Sequence, residues 1–218
     1  MGVRANRREL MKKSILLVIL PVLIVLGTVL SDGCTTLKRL AYEGLGRDDW
    51  QQPERVISAL GIQQGETIAD LGAGSGYFTF RLADATGSSG TVYAADVDRG
   101  IVEYLNQRAR EGGYKNVRGI LSESDDPLLP PHGIDLIFSC NTYHHLKRRV
   151  DYFTNMRKYL RDGGRVAIID FSGKTWFQRL LGHITPVEVI KFEMEAAGYR
   201  LKDEHDFLSK QGFLVFSK

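Results

Sequence analysis

The run Ile68-Ala69-Asp70-Leu71-Gly72-Ala73-Gly74-Ser75-Gly76-Tyr77 constrains this chain more than any other. An apolar stretch ends in a carboxylate, three alternating glycines follow, and a helical pattern begins at Tyr77. Glycine is needed where the backbone turns tightly and a ligand must approach closer than a Cβ allows. Further on, Val92-Tyr93-Ala94-Ala95-Asp96 is a second apolar stretch ending in an acid. It lies about 20 residues past the last glycine, where a carboxylate accepts both hydroxyls of a ribose. Residues 66–98 therefore read as strand, glycine loop, helix and second strand around a nucleoside-type ligand.

From Glu66 onward β-rich apolar runs alternate with amphipathic helical stretches, which predicts a parallel sheet with helices on both faces. Strands are expected at Thr67–Leu71, Thr91–Asp96, Val117–Leu121, Ile134–Cys140 and Gly164–Phe171, with helices near Tyr77–Thr86, Arg99–Glu111 and Arg149–Leu160. Arg161-Asp162-Gly163-Gly164 reads as a helix stop and turn. Pro186 to Ala197 repeats a helical period, with Thr185 as its cap, and Tyr199–Asp206 and Gly212–Ser217 form a hairpin. The fold class is α/β: a Rossmann-like, seven-stranded, mostly parallel sheet with an antiparallel C-terminal hairpin strand, preceded by a hydrophobic N-terminal helix. Three regions follow: a basic arm and apolar segment over 1–34, a linker and covering helix over 35–60, and the ligand-binding domain over 61–218. Within the second, Pro53, Val56, Ile57 and Leu60 predict a helix over the sheet edge or ligand site.

Ser14 to Leu30 carries no charge, and its 17 residues at about 1.5 Å each span roughly 25 Å, close to a bilayer core. Arg4, Arg7, Arg8, Lys12 and Lys13 precede it. The expectation is a retained single-pass anchor, in a bacterial inner membrane. The basic arm puts the N-terminus in the cytoplasm and the domain outside. Arg7-Arg8 resembles a twin-arginine export signal, and Ser31-Asp32-Gly33-Cys34 faintly resembles a lipoprotein cleavage site. Sidedness stays open between these features.

With that arm set aside the domain is near neutral, against a whole-chain net charge of +3, and this gives no stripe for nucleic acid. The two cysteines, Cys34 and Cys140, form neither a disulfide framework nor a zinc spacing, so no metal is expected.

Nicotinamide enzymes place a pyrophosphate on G-x-G-x-x-G. Here the spacing is G-x-G-x-G, with Asp70 two residues ahead. A carboxylate aimed at the loop repels a pyrophosphate and suits a ligand carrying an ammonium and a sulfonium. At these residues the chain resembles the class I methyltransferases, from Trp50 to Lys218: Asp70, Gly72, Gly74 and Gly76 match the family's first motif and Asp96 its second-strand acid. The resemblance implies S-adenosylmethionine as cofactor, with the loop beneath the methionine part, Asp70 acting through the amino group or ordered water, and Asp96 on the ribose. It also implies an adenine pocket after the third strand, where Asp125 is favoured and Asp126 and Glu123 are rivals.

Asn141-Thr142-Tyr143-His144-His145 ends the fourth strand, where the crevice of such sheets lies. Asn141, Tyr143 and His144 are the substrate-side candidates; His145 is read as the start of the next helix. A neutral histidine suits removal of a proton from a phenol, acid or ring carbon, a role that falls to His144. Amino-methylating relatives carry an Asn/Asp-Pro-Pro-aromatic run here, and this strand end lacks both prolines. The expected acceptor is thus a small molecule or membrane-borne lipid, quinones included, and not nucleic acid. His183 and His205 are further histidines, and Trp176, Phe177, Leu180 and Leu181 are expected to pack rather than to floor a pocket. The alternatives to a methyltransferase are an NAD(P)-dependent reductase and a cofactor-binding scaffold or sensor.

Overall fold

The computed structural model describes residues 46–172 and 184–218. The anchor expected over 14–30, Cys34, the boundary at 34/35, and Trp176, Phe177, Leu180, Leu181 and His183 lie outside the described residues. Among the described residues no helix is long and apolar enough to cross a membrane.

In chain order the elements are α1 (Arg47–Gln51), α2 (Pro53–Leu60), β1 (Thr67–Leu71), α3 (Thr79–Thr86), β2 (Thr91–Asp96), α4 (Arg99–Glu111), β3 (Val117–Leu121), β4 (Ile134–Cys140), α5 (Arg149–Met156), β5 (Leu160–Phe171), α6 (Val187–Ala196), β6 (Arg200–His205) and β7 (Gln211–Ser217), with a 3₁₀ turn at Tyr143–His145. They form a seven-stranded sheet of order β3-β2-β1-β4-β5-β7-β6. The first five strands pair in parallel, and β7 runs antiparallel to both β5 and β6. The fold is the Rossmann-like one expected, and four strands match the expected ranges residue for residue at both ends. The order reverses between β1 and β4, so the crossovers leaving these neighbours depart in opposite directions and open a crevice at their carboxyl ends.

Alternate residues of each strand enter cores on opposite faces. Ala69, Leu71, Ile137, Ile168, Leu214 and Phe216 pack with Phe153 and Met156 of α5 and Ile190 and Met194 of α6. Ile68, Val92, Leu136, Phe138, Ile169 and Phe213 pack with residues of α2, α3 and α4, among them Val56, Leu82 and Leu105. Burial on both faces explains why these strands read as nearly continuous apolar runs.

Local chemistry sets the helix starts. Asp98 caps α4, its carboxylate accepting from Gly100 N at 2.9 Å and Ile101 N at 3.3 Å. Pro53 occupies the first turn of α2, and Gly61 closes it at φ 59°. α3 begins at Thr79, two residues later than the pattern predicts, because Tyr77 and Phe78 complete the turn out of the glycine loop. β5 begins at Leu160, earlier than expected: Leu160 pairs with Ile134 ahead of a register shift, so the predicted turn at Arg161–Gly164 is an irregularity within the strand.

The C-terminal strand is internal to the sheet, and Gln211 through Phe216 are all buried. Removing residues 211–218 strips β5 and β6 of their shared partner. That truncation is expected to abolish the cooperative thermal transition seen by circular dichroism, whereas truncation of an edge strand would only lower its midpoint.

Candidate active site

Gly72, Gly74 and Gly76 all have positive φ, at 68°, 54° and 90°. Gly72 has a second reason to be glycine: a Cβ there would lie 2.1 Å from Thr142 Oγ1, so the loop after β1 rests directly on the turn after β4. The Gly72 N–H donates to Ala95 O at 2.8 Å, and the Gly74 N–H to Asp96 Oδ2 at 3.0 Å. Asp98 N donates to the other oxygen, Oδ1, at 3.0 Å. These bonds orient the Asp96 carboxylate, which retains lone pairs for the donors of a ligand. Beside it Val97 is 64% exposed, an apolar surface at the carboxyl end of β2.

Asp70 is 3% exposed and accepts from Thr79 Oγ1 at 2.7 Å. Burial pushes its carboxyl up to about 7, and the nearby Asp96 charge adds to the rise against the Thr79 bond and Arg47. Arg47 belongs to α1. Its guanidinium lies 3.7 Å from the centre of the Tyr77 ring, Asp48 accepts from the Tyr77 hydroxyl, and Trp50 stacks on Phe171 at 5.8 Å. The cover expected from the Pro53–Leu60 helix is therefore supplied over the loop by α1; α2 buries Val56 and Leu60 in the core.

At the end of β4, Asn141 sits at φ 57°, a left-handed conformation that asparagine tolerates better than most side chains. Its Oδ1 accepts from Gln211 Nε2 at 2.5 Å. His144 is gripped by Asp170 at the end of β5: its ring Nδ1 lies 2.7 Å from Oδ1 and its backbone N–H donates to Oδ2 at 2.8 Å. Phe171 N also donates to Oδ1, at 2.8 Å. The His144 and Asp170 side chains are 7% and 0% exposed.

Tyr143 does not join them. It is fully buried, its hydroxyl donates to Glu193 at 2.7 Å, and its ring stacks on Phe153 at 5.4 Å. Arg149 grips the same carboxylate through two bonds, of 2.7 and 2.8 Å. Tyr143 thus fastens the turn to α5 and α6 and is withdrawn as a substrate-side residue. His145 closes the 3₁₀ turn, and α5 starts only at Arg149. Of the three adenine-pocket acids, Asp126 is taken up by Lys158, Tyr159 and the Leu128 N–H. Burial acts to raise its carboxyl, and those hydrogen bonds outweigh burial and hold it below the ordinary range. Asp125 is exposed, with Arg148 at 4.0 Å. His205 packs its ring on Phe213 at 4.6 Å.

Asp170, Gln211 and α1 are the parts that sequence reasoning missed. Asp170 had a signal, since Ile168-Ile169-Asp170 repeats the apolar strand ending in an acid that marked Asp70 and Asp96. Gln211 had none, because its position depends on β7 inserting beside β5.

A methyltransferase-domain model matches residues 62–199. The chain belongs to the methyltransferase domain family. It is 25% identical over 152 residues to the ubiquinone/menaquinone biosynthesis C-methyltransferase UbiE of Azotobacter vinelandii, covering 69% of this chain and 59% of that protein. It is 29% identical over 113 residues to the aklanonic acid methyltransferase DauC of Streptomyces sp. strain C5, covering 52% and 51%. The chain thus spans about half to three-fifths of the length of these curated relatives. A crystal structure of an S-adenosylmethionine-dependent methyltransferase from Aquifex aeolicus superposes with a TM-score of 0.77 at 25% identity, over 83% of this chain and 96% of that one. The domain is that of the S-adenosylmethionine-dependent methyltransferases, with S-adenosylmethionine as its cofactor.

The residues present fit that cofactor. Asp70 and Asp96 flank the loop with carboxylates close enough to raise Asp70, a field that favours ammonium and sulfonium and opposes a pyrophosphate. Ser75 Oγ in the loop and Ser122 Oγ beyond β3 are buried without a hydrogen-bond partner among the described residues, so polar capacity remains. Among the described residues no cluster of three metal-ligating side chains occurs.

The raised Asp70 carboxyl has two measurable consequences. An arriving ammonium favours its ionised form. Affinity for S-adenosylhomocysteine, measured by calorimetry, is therefore expected to rise as pH increases through about 7, and Asp70→Asn should flatten that dependence. For the free protein the sign is opposite. The stability gained by holding the proton is full below the ordinary value of 3.8 and is lost as pH rises through about 7. Asp70→Asn should then raise the melting temperature relative to the parent at alkaline pH and not at acid pH.

Proposed function

We propose that this chain transfers the methyl group of S-adenosylmethionine to a small-molecule or lipid-like acceptor whose reacting atom gives up a proton to His144. The observation that carries this reading is the buried His144–Asp170 pair at the crevice ends of β4 and β5, with ring nitrogen and carboxylate 2.7 Å apart. Asp170 accepts the Nδ1–H and so selects the tautomer whose Nε2 is the proton acceptor. When bound, the cofactor supplies a methyl group already electrophilic on its sulfonium, so the protein's task is alignment and proton removal. With the cofactor held over the glycine loop, its sulfonium would supply the methyl group and retain the electron pair of the broken bond, and the chain's own part would be to hold the acceptor atom in line and to take its O–H or C–H proton on His144.

Two features support the acceptor class. Two relatives are named for ubiquinone/menaquinone biosynthesis and for aklanonic acid, which are small organic acceptors. The uncharged segment at 14–30 behind a basic arm suits an anchor that holds the domain at a membrane, where an apolar acceptor concentrates. Asp96 receives the ribose hydroxyls in this reading, Val97 offers its apolar surface to the adenine ring, and the glycine loop admits the methionine part.

The full chain in detergent should bind S-adenosylhomocysteine, and Asp96→Ala should weaken that binding by about tenfold, the size of a lost charge-assisted hydrogen bond. No calorimetric signal from the parent would sink the reading. His144→Ala and Asp170→Asn should each lower kcat by about a hundredfold with product affinity preserved. Equal loss of product affinity in both would instead make the pair structural.

A further inference from the structure

We propose that Arg47, Gln51, Gln211 and Asn141 form a polarised hydrogen-bond chain presenting the Asn141 amide as a donor to an oxygen of the acceptor. The acceptor is then a phenol, hydroquinol or enolised carbonyl carrying oxygen at or beside the atom that gives its proton to His144. This rests on the proposed methyl transfer and narrows its substrate class.

A lone side-chain amide can be turned either way, because its oxygen and nitrogen ends have the same shape. Here the direction is imposed from one end. Arginine has no acceptor, so the Arg47 Nε–H that bonds the Gln51 side chain must meet its oxygen, Oε1. The Gln51 Nε2 then faces inward, where it donates to Cys140 Sγ at 2.9 Å and to Gln211 Oε1 at 3.2 Å. Gln211, with its oxygen engaged, turns its Nε2 to Asn141 Oδ1 at 2.5 Å. Asn141 is left with Nδ2, which donates to no group among the described residues. Gln51 and Gln211 are both 0% exposed, so neither direction nor position is blurred by water, while Asn141 is half-buried at the crevice end of β4.

A second observation places that donor in the reacting part of the site. Asn141 is held at φ 57°, and three residues on His144 is held by Asp170. Non-glycine residues in the left-handed region persist where surrounding structure over-determines them. A fixed N–H donor and a proton-accepting imidazole on one short turn suit an acceptor that displays an oxygen lone pair and an acidic O–H or C–H together. An amine acceptor uses the imidazole and leaves the amide donor unmatched.

The test uses the full chain in detergent, saturated with S-adenosylhomocysteine, and two probes of matched size: naphthohydroquinone kept reduced, and naphthylmethylamine. Calorimetry is expected to show binding of the hydroquinone and at least about tenfold weaker binding of the amine. Gln211→Glu keeps the volume and removes the donor that fixes Asn141, so the Asn141 amide turns its nitrogen toward the new carboxylate. Hydroquinone affinity is expected to fall about tenfold while S-adenosylhomocysteine affinity stays within about twofold. Asn141→Asp removes the donor directly at a half-buried position, carries the same expectation if Gln211→Glu does not fold, and combined with it should cost no more than either alone. Equal binding of amine and hydroquinone, or hydroquinone affinity unchanged in the folded variants, overturns the proposal while leaving the methyltransferase reading intact. Failure of S-adenosylhomocysteine to bind the parent overturns both.

Discussion

The reversal of strand order between β1 and β4 is the constraint on which the rest of this molecule depends. Because the crossovers from these neighbours leave to opposite faces, neither crossover helix covers the space above their carboxyl ends. The structure places its chemistry around that opening. The glycine loop enters from β1, Asp96 from β2, Asn141 and His144 from β4, and Asp170 from β5. Gly72 shows how closely the two sides are fitted, since the missing Cβ is the room that Thr142 occupies. A site built on strand ends inherits the rigidity of the sheet, which suits a reaction whose main requirement is alignment.

Three carboxylates end three strands of this sheet, and their surroundings give them different work. Asp70 is buried with one hydroxyl donor, which leaves it at the edge of neutrality. Asp96 takes two backbone N–H groups and keeps an open side, the arrangement expected of a group that receives a ligand's hydroxyls. Asp170 takes three N–H donors in full burial, two of them from His144, so it acts on the imidazole rather than on a ligand. In the reading proposed, the same residue type at the same kind of position divides into a charge sensor, a ligand acceptor and a positioning group according to the donors supplied.

The parts legible in the sequence were those fixed by local pattern. The alternation of apolar strands and amphipathic helices marks the sheet, and the spacing of Asp70, Gly72, Gly74, Gly76 and Asp96 marks the cofactor loop, because backbone geometry alone dictates those residue types. Tyr143 misled for an instructive reason: a polar aromatic at a strand end is equally suited to a substrate and to a half-buried carboxylate such as Glu193, and only the packing of α6 decides. Asp126 was separated from Asp125 in the same way, by Lys158 and Tyr159 arriving from a distant segment. Helix α1 is five residues long, too short to show a period, and its role is visible only in what Arg47, Asp48, Trp50 and Gln51 touch.

The insertion of β7 between β5 and β6 joins folding to function. Gln211 is the first residue of that strand, pairing with Phe171 at the crevice end of β5. Its side chain links Gln51, from the start of the described domain, to Asn141 at the centre of the sheet. The amide chain therefore cannot form until the last strand has entered the sheet and α1 has settled over it. Substitution at Gln51 or Gln211 would remove the fixed direction of the Asn141 amide, whereas the glycine loop and Asp96 stand on β1 and β2, outside the amide chain. In the reading proposed, cofactor recognition is thus local to β1 and β2, whereas acceptor recognition is assembled from both ends of the domain and matures last.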